Sequence, residues 1–164
     1  MTLILQNKRW QKILGLFFFV TIFLGQPKRL FCSSSLSSND QHTTLSLDRS
    51  TESIAFHVDI ASTPQALAQG LMNRRHLAKD AGMLFVFPKL QKTKFWMKDT
   101  YLALDLVFMD ENFNVVQLHE NAQPLDLTKI ESDVPIKYVL EISAGSIQHY
   151  NIQKGDLFKA ESPF

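Results

Sequence analysis

Beyond residue 52 the apolar residues of this chain come in runs of strand length, and turn formers separate them. Ser53–Ile60 alternates, with Ile54, Phe56, Val58 and Ile60 on one side and Ala55, His57 and Asp59 on the other; a period of two is the pattern of a half-buried strand. Met83–Phe87 is a strand closed by Pro88, and Gln91–Lys94 is a polar, lysine-rich loop. Phe95–Met97 and Tyr101–Met109 are strands separated by a bend at Asp99-Thr100, and Asp110–Asn114 is a loop of hairpin length before Val115–His119. Tyr138–Ile142 leads to a turn at Gly145, and Leu157–Lys159 follows a turn at Lys154-Gly155-Asp156. One helix is expected early. Ser62 and Thr63 supply a hydroxyl cap, Pro64 stands where its missing N–H costs nothing, Leu67 and Leu71 are four apart and can face the core, and Gly70 marks fraying or an end nearby. Asn121–Pro135 has no period and is expected to form a rim or lid. Short strands with one early helix predict an α+β fold: a single compact domain over residues 52–164, dominated by an antiparallel, curled or barrel-like β-sheet with one short early helix.

The first fifty residues have another character. Lys8, Arg9 and Lys12 precede the apolar run Ile13–Leu24, which is too short for a typical spanning helix but right for an export signal. Residues 1–32 are therefore expected to be a signal peptide or an N-terminal anchor, with residues 13–24 as the possible membrane tether. Residues 33–51 are polar and Ser-rich, and predict a flexible linker. The expected location is exported: periplasmic, or attached to the outer face of the inner membrane of a bacterium. Cys32, the single cysteine, excludes an intrachain disulfide and a cysteine metal cluster, and with Arg29 and Phe31 before it Cys32 reads as unlipidated.

Charge narrows the function classes. Residues 52–164 carry eleven basic and fourteen acidic side chains, a balance of −3, against +4 for residues 1–51. A mildly acidic domain gives no electrostatic footing for nucleic acid. The five histidines (42, 57, 76, 119 and 149) show no metal-ligand spacing, and no phosphate loop, dinucleotide fingerprint or nucleophile elbow is present, so neither metal nor cofactor is expected. Met72, Met83, Met97 and Met109 are irregularly spaced and read as core filler rather than soft copper ligands.

Several blocks of residues carry a family likeness. Gly70-Leu-Met72, Arg74, Gly82-Met-Leu-Phe85, Phe95-Trp-Met-Lys98, Thr100, Leu104-Asp105 and Phe108 come first, then Tyr138-Val-Leu-Glu141, Ala144-Gly145 and Gly155-Asp156. Together they resemble the domain-of-unknown-function family 192 over about Ser53 to Ala160. The resemblance implies one compact α+β domain dominated by an antiparallel sheet, often behind an export signal, and it implies no established activity. This chain departs from the family's usual pattern three times: Gln69 stands where Arg is usual, Asp99 where Asn is usual, and Ala103 where Pro is usual. If those positions formed a ligand site, its charge would have changed by the loss of one cation and the gain of one anion.

The candidate ligand-binding residues are Arg74, Trp96, Lys98, Asp99, Asp105 and Glu141. Asp105 is the most anomalous, a carboxylate flanked by Tyr101, Ala103, Val107 and Met109 on its own face and by leucines and Phe108 on the other. It is either a perturbed group in a pocket or a structural carboxylate that holds a turn or pairs with Arg74. Glu141 is the weaker candidate, because Lys137 and Ser143 on its face suggest a wet one. Trp96, among Lys89, Lys92, Lys94 and Lys98, is either an exposed stacking platform or a core residue behind a solvated loop. No catalytic residue is assigned. The expected function is a non-catalytic module that binds an envelope-associated ligand, a sugar or an acidic group, through the Arg74/Trp96/Asp105 region. The alternatives are an envelope hydrolase using Asp105 and Asp99 as a carboxylate pair, and a structural domain whose sheet edge docks a partner protein.

Overall fold

The computed structural model describes residues 41–49 and 53–161. The expectations for residues 1–32, and for the first part of the Ser-rich stretch, fall outside the described residues. Among the described residues no helix is long and apolar enough to cross a membrane.

The chain runs β1 (His42–Asp48), β2 (Ser53–Ala61), α1 (Pro64–Gln69), β3 (Ala81–Gln91), β4 (Lys94–Phe95), β5 (Leu104–Met109), β6 (Val115–Ala122), β7 (Ile130–Glu131), β8 (Ile136–Ser143), α2 (Ser146–His149) and β9 (Phe158–Ala160). Seven strands form one sheet in the order β6-β5-β8-β3-β2-β1-β9, and β4 pairs with β7 separately. The fold is thus mostly β, as expected, with three corrections. Residues 42–48, placed in the flexible linker, are a sheet strand paired with both β2 and β9, and Leu45 and Leu47 are buried by it. The sheet is mixed rather than wholly antiparallel, because β2 and β3 run parallel; the crossover through α1 returns the chain to the end where β2 began, which a hairpin cannot do. Finally, there are two short helices, since Gly145 at φ 85° starts α2 instead of only turning the chain.

α1 forms as its residues predict. The Thr63 hydroxyl accepts from the Ala66 N–H at 3.2 Å, Pro64 occupies the first turn, and Gly70 at φ 49° ends the helix. β3 continues past Pro88, and the pairing with β8 shifts register between Val86 and Gln91; Pro88, which has no N–H to give a ladder, falls within that break.

The sheet curls until its edges meet at one end. Asn114 and Leu157 bridge, Val115 donates to the Asp156 carbonyl at 2.8 Å, and Phe158 donates to the Phe113 carbonyl at 3.1 Å. Alternation then sorts the side chains onto two covered faces. Leu45, Phe56, Val58, Leu84, Val107, Leu140 and Phe158 pack on the inner side with Ile147 of α2. Met83, Phe85, Leu104, Leu106, Phe108 and Val139 pack on the outer side, under Leu71 and Met97 from the loops and Ile130 of β7. Every residue of β5 is buried for this reason, so the face of Asp105 is as dry as the leucine face. Asn121–Pro135 is less irregular than its sequence suggests: its first two residues finish β6, and Ile130–Glu131 is β7.

Candidate functional site

Two carboxyl groups lie at the middle of the sheet on neighbouring strands, facing opposite ways. Asp105 is on β5 and Glu141 on β8, with Asp105 opposite Ile142 and Leu106 opposite Glu141.

Asp105 faces inward and is fully enclosed. Its Oδ1 accepts from the Asn121 N–H at 2.8 Å and its Oδ2 from the Ile147 N–H at 2.9 Å. The first bond secures a break in the β5–β6 register between Leu104 and Leu106, where Asn121 takes φ 57°. The second ties α2 to the sheet. A carboxylate with a backbone donor on each oxygen is stabilised where it sits. Asp105 thus pins an irregularity of β6 and the start of α2, and it does not pair with Arg74. Arg74 instead meets Asp59, whose Oδ1 also lies 2.8 Å from His42 Nδ1.

Glu141 faces outward and is only 7% exposed. No hydrogen bond or ion pair reaches its carboxyl group from the described residues. Burial alone raises its pKa from the usual carboxylate range to about 8, so the group is mostly neutral at pH 7 and can donate a hydrogen bond as well as accept one. The expectation of a wet face here fails because the segment around Gly70 folds over the strand. A Cβ added at Gly70 would lie 2.9 Å from the Phe85 ring and 3.9 Å from Glu141 Oε2, so glycine is what fits between helix end, ring and acid.

Above Glu141 is a cleft of about 460 Å3, lined by the end of α1 and the residues after it, by Phe85 and Phe87 of β3, and by the stretch from Gln91 to Trp96 with Thr100. Phe95 stands edge-on to Phe85 at 5.2 Å and to Phe108 at 6.0 Å, which fixes the aromatic wall. Trp96 is 47% exposed, so of its two expected placements the structure has the exposed one. Lys92 and Lys94 line the same cleft, and Lys94 is paired with Glu131 at 2.9 Å. A second uncompensated polar atom lies in the wall: the buried Thr93 hydroxyl has no hydrogen-bond partner among the described residues. Buried polar groups without partners are uncommon, and each one costs stability.

Of the six candidates, the structure brings Trp96 and Glu141 together on this cleft, and the other four do not line it. Lys98 pairs with Asp99 at 2.7 Å on the surface. Asp99 takes φ 53°, and its carbonyl accepts from the Asn73 N–H at 2.8 Å; the left-handed backbone explains why Asn or Asp suits this position. The Asp105/Asp99 pair needed for a hydrolase is not assembled, since one carboxylate is spent on backbone inside the sheet and the other is on a surface turn. Among the three departures from the family pattern, Gln69 lies on the cleft and Asp99 and Ala103 do not. Sequence reasoning missed Thr93 and Thr100 as lining residues; nothing in their spacing marks them, because loop closure alone delivers them. Among the described residues no group of three or more His, Cys, Asp or Glu is placed to hold a metal ion.

The fold recurs in solved structures. A protein from Sinorhizobium meliloti, described as a proposed transcription regulator, is 34% identical with a TM-score of 0.72, covering 75% of this chain and 96% of that one. A protein of unknown function from Novosphingobium aromaticivorans is 29% identical with a TM-score of 0.71, covering 76% of this chain and 89% of that one. No curated protein matches the chain. The model of family DUF192, described as "Uncharacterized ACR", matches residues 45–160. That match takes in nearly the whole curled sheet together with both sides of the cleft, and the chain belongs to this family of domains of unknown function.

Proposed function

We propose that this chain is a non-catalytic binding module of the cell envelope, exported through its first 32 residues, that holds a small ligand between Trp96 and Glu141. The ligand class from the sequence, a sugar or an acidic group, carries over; the site moves from the Arg74/Trp96/Asp105 region to the cleft over Glu141. One observation carries this reading: a buried carboxyl group with no partner among the described residues forms part of an aromatic-walled cleft of about 460 Å3. Such a group weakens the fold unless something else rewards its presence, and ligand binding does that. No second carboxylate lines the cleft among the described residues, which favours binding over glycoside hydrolysis. The regulator description belongs to the Sinorhizobium protein, and the acidic balance of this domain favours a small ligand over nucleic acid.

A fragment library tests the reading on the full chain, recovered from the envelope fraction of cells that express it. Ligand-observed hits should perturb the Trp96 indole signal and the Gly70 amide, and Trp96→Ala should abolish them while the melting temperature moves little. Hits that cluster elsewhere, or recovery of the chain from the cytosol alone, overturn the site and the export reading respectively.

A further inference from the structure

We infer, resting on the reading above, that the ligand is a neutral hydroxyl-bearing ring, a sugar unit, that hydrogen-bonds Glu141 at its polar edge and lays an apolar face on Trp96.

The cleft itself sorts the ligand classes. A purely apolar ligand would leave Glu141 as uncompensated as it is now, and would waste the polar half of a lining that includes Gln69, Gln91, Thr93 and Thr100. A cationic ligand would have to share the cleft with Lys92 and Lys94 and meet a carboxyl group that burial keeps protonated. An anionic ligand would find Lys92 on the cleft, but Lys94 is already paired with Glu131, and ionisation of Glu141 would set two negative charges together. The remaining chemistry is neutral and two-faced. A pyranose has hydroxyls around its rim, each both donor and acceptor, and C–H groups on its faces. The rim can satisfy Glu141 in either protonation state, and the faces suit the half-exposed indole of Trp96. The departure at Gln69 fits the same ligand: a neutral amide lines the cleft where a guanidinium would have offered Glu141 a permanent partner.

The pH profile separates the three polar classes. The charged side chains that line the cleft with Glu141 are Lys92 and Lys94, and the in-register neighbours Met83 and Leu106 do not titrate. Between pH 6.5 and 9.5, Glu141 changes from mostly protonated to mostly ionised. A neutral sugar should bind on both sides of that change within about threefold. A uronic acid should lose about tenfold or more on the alkaline side, and an amino sugar should bind poorly on the acid side.

The experiment titrates the full chain with four trisaccharides: cellotriose, N-acetylated chitotriose, trigalacturonate and deacetylated chitotriose. The Trp96 indole shift, assigned as the signal missing from Trp96→Phe, reports binding. The expected result is saturable binding of at least one of the two neutral trimers, about tenfold or more tighter than either charged trimer at pH 7. Glu141→Gln should keep that binding within about threefold and Glu141→Leu should lose it, with both variants folded. Preference for the acid or the amine trimer overturns the ligand class. So does binding of no trimer when fragments still occupy the cleft, and the site then stands. If neither trimers nor fragments bind there, the cleft itself is not the site and both readings fall.

Discussion

Asp105 and Glu141 stand on adjacent strands, both among apolar side chains, and they have opposite fates. Asp105 has a backbone N–H on each oxygen and knits the β5–β6 break and α2 to the sheet. Glu141 has no partner among the described residues and lies under an open cleft. A buried acid is costly in both places, but only at Asp105 does the fold itself return the cost. Burial of a carboxyl group therefore says little about function until its hydrogen-bond partners are counted. The inner acid is held by the backbone, and the outer one lines the cleft with no partner among the described residues.

The sharpest way to break this contrast is to remove the inner acid. Asp105→Ala should destabilise the domain by about 3–5 kcal/mol, because it strips the acceptor from two backbone donors and leaves the Ile147 N–H buried and unpaired. Chemical denaturation measures this, and a cost under about 1 kcal/mol would refute the structural role. The outer acid should behave in the reverse sense. Its folded pKa of about 8 lies above the usual carboxylate value, so the native state binds more protons than the unfolded state between them. The associated stability is complete below about pH 4.5, falls as the pH rises, and levels off above about pH 8. Glu141→Gln should remove that fall. The variant should match the wild type near pH 5 and exceed it by roughly a few kcal/mol at pH 8.5, read as the difference between paired urea titrations. A difference that does not change with pH would place the carboxyl group in contact with water or a partner. The smallest effect belongs to the surface acid. Asp99→Asn keeps a residue suited to φ 53° and loses an exposed ion pair, so stability should move by less than about 0.5 kcal/mol and sugar binding not at all. Loss of binding in that variant would return Asp99 to the site.

Much of the strand pattern was legible in the residues, because a period of two in Ser53–Ile60 and turn formers around β3, β5 and β8 are local signals. So were the Thr63 cap and the Gly70 stop. β1 was hidden by composition: a Ser-rich stretch reads as linker, yet Leu45 and Leu47 find a sheet edge to cover. The parallel β2–β3 pair was hidden because strand direction depends on where the crossover lands, which no local period records. Trp96 was named as a site residue, with exposed and buried placements left open. Asp105 was weighted above Glu141 from flanking residues, which describe a strand face and not what folds over it.

The sequence by itself determined that this is a short-stranded β-rich domain of family 192 with an acidic balance. These are properties of composition, period and motif, each fixed by residues close together in the chain. Only the tertiary structure decided which acid the backbone holds. Asn121 and Ile147, the donors that occupy Asp105, are 16 and 42 residues away from it, and the segment that covers Glu141 comes from the end of α1. Hydrogen-bond satisfaction is settled by groups distant in sequence, so the difference between a carboxylate that the backbone holds and one that lines a cleft arises only when the sheet has closed.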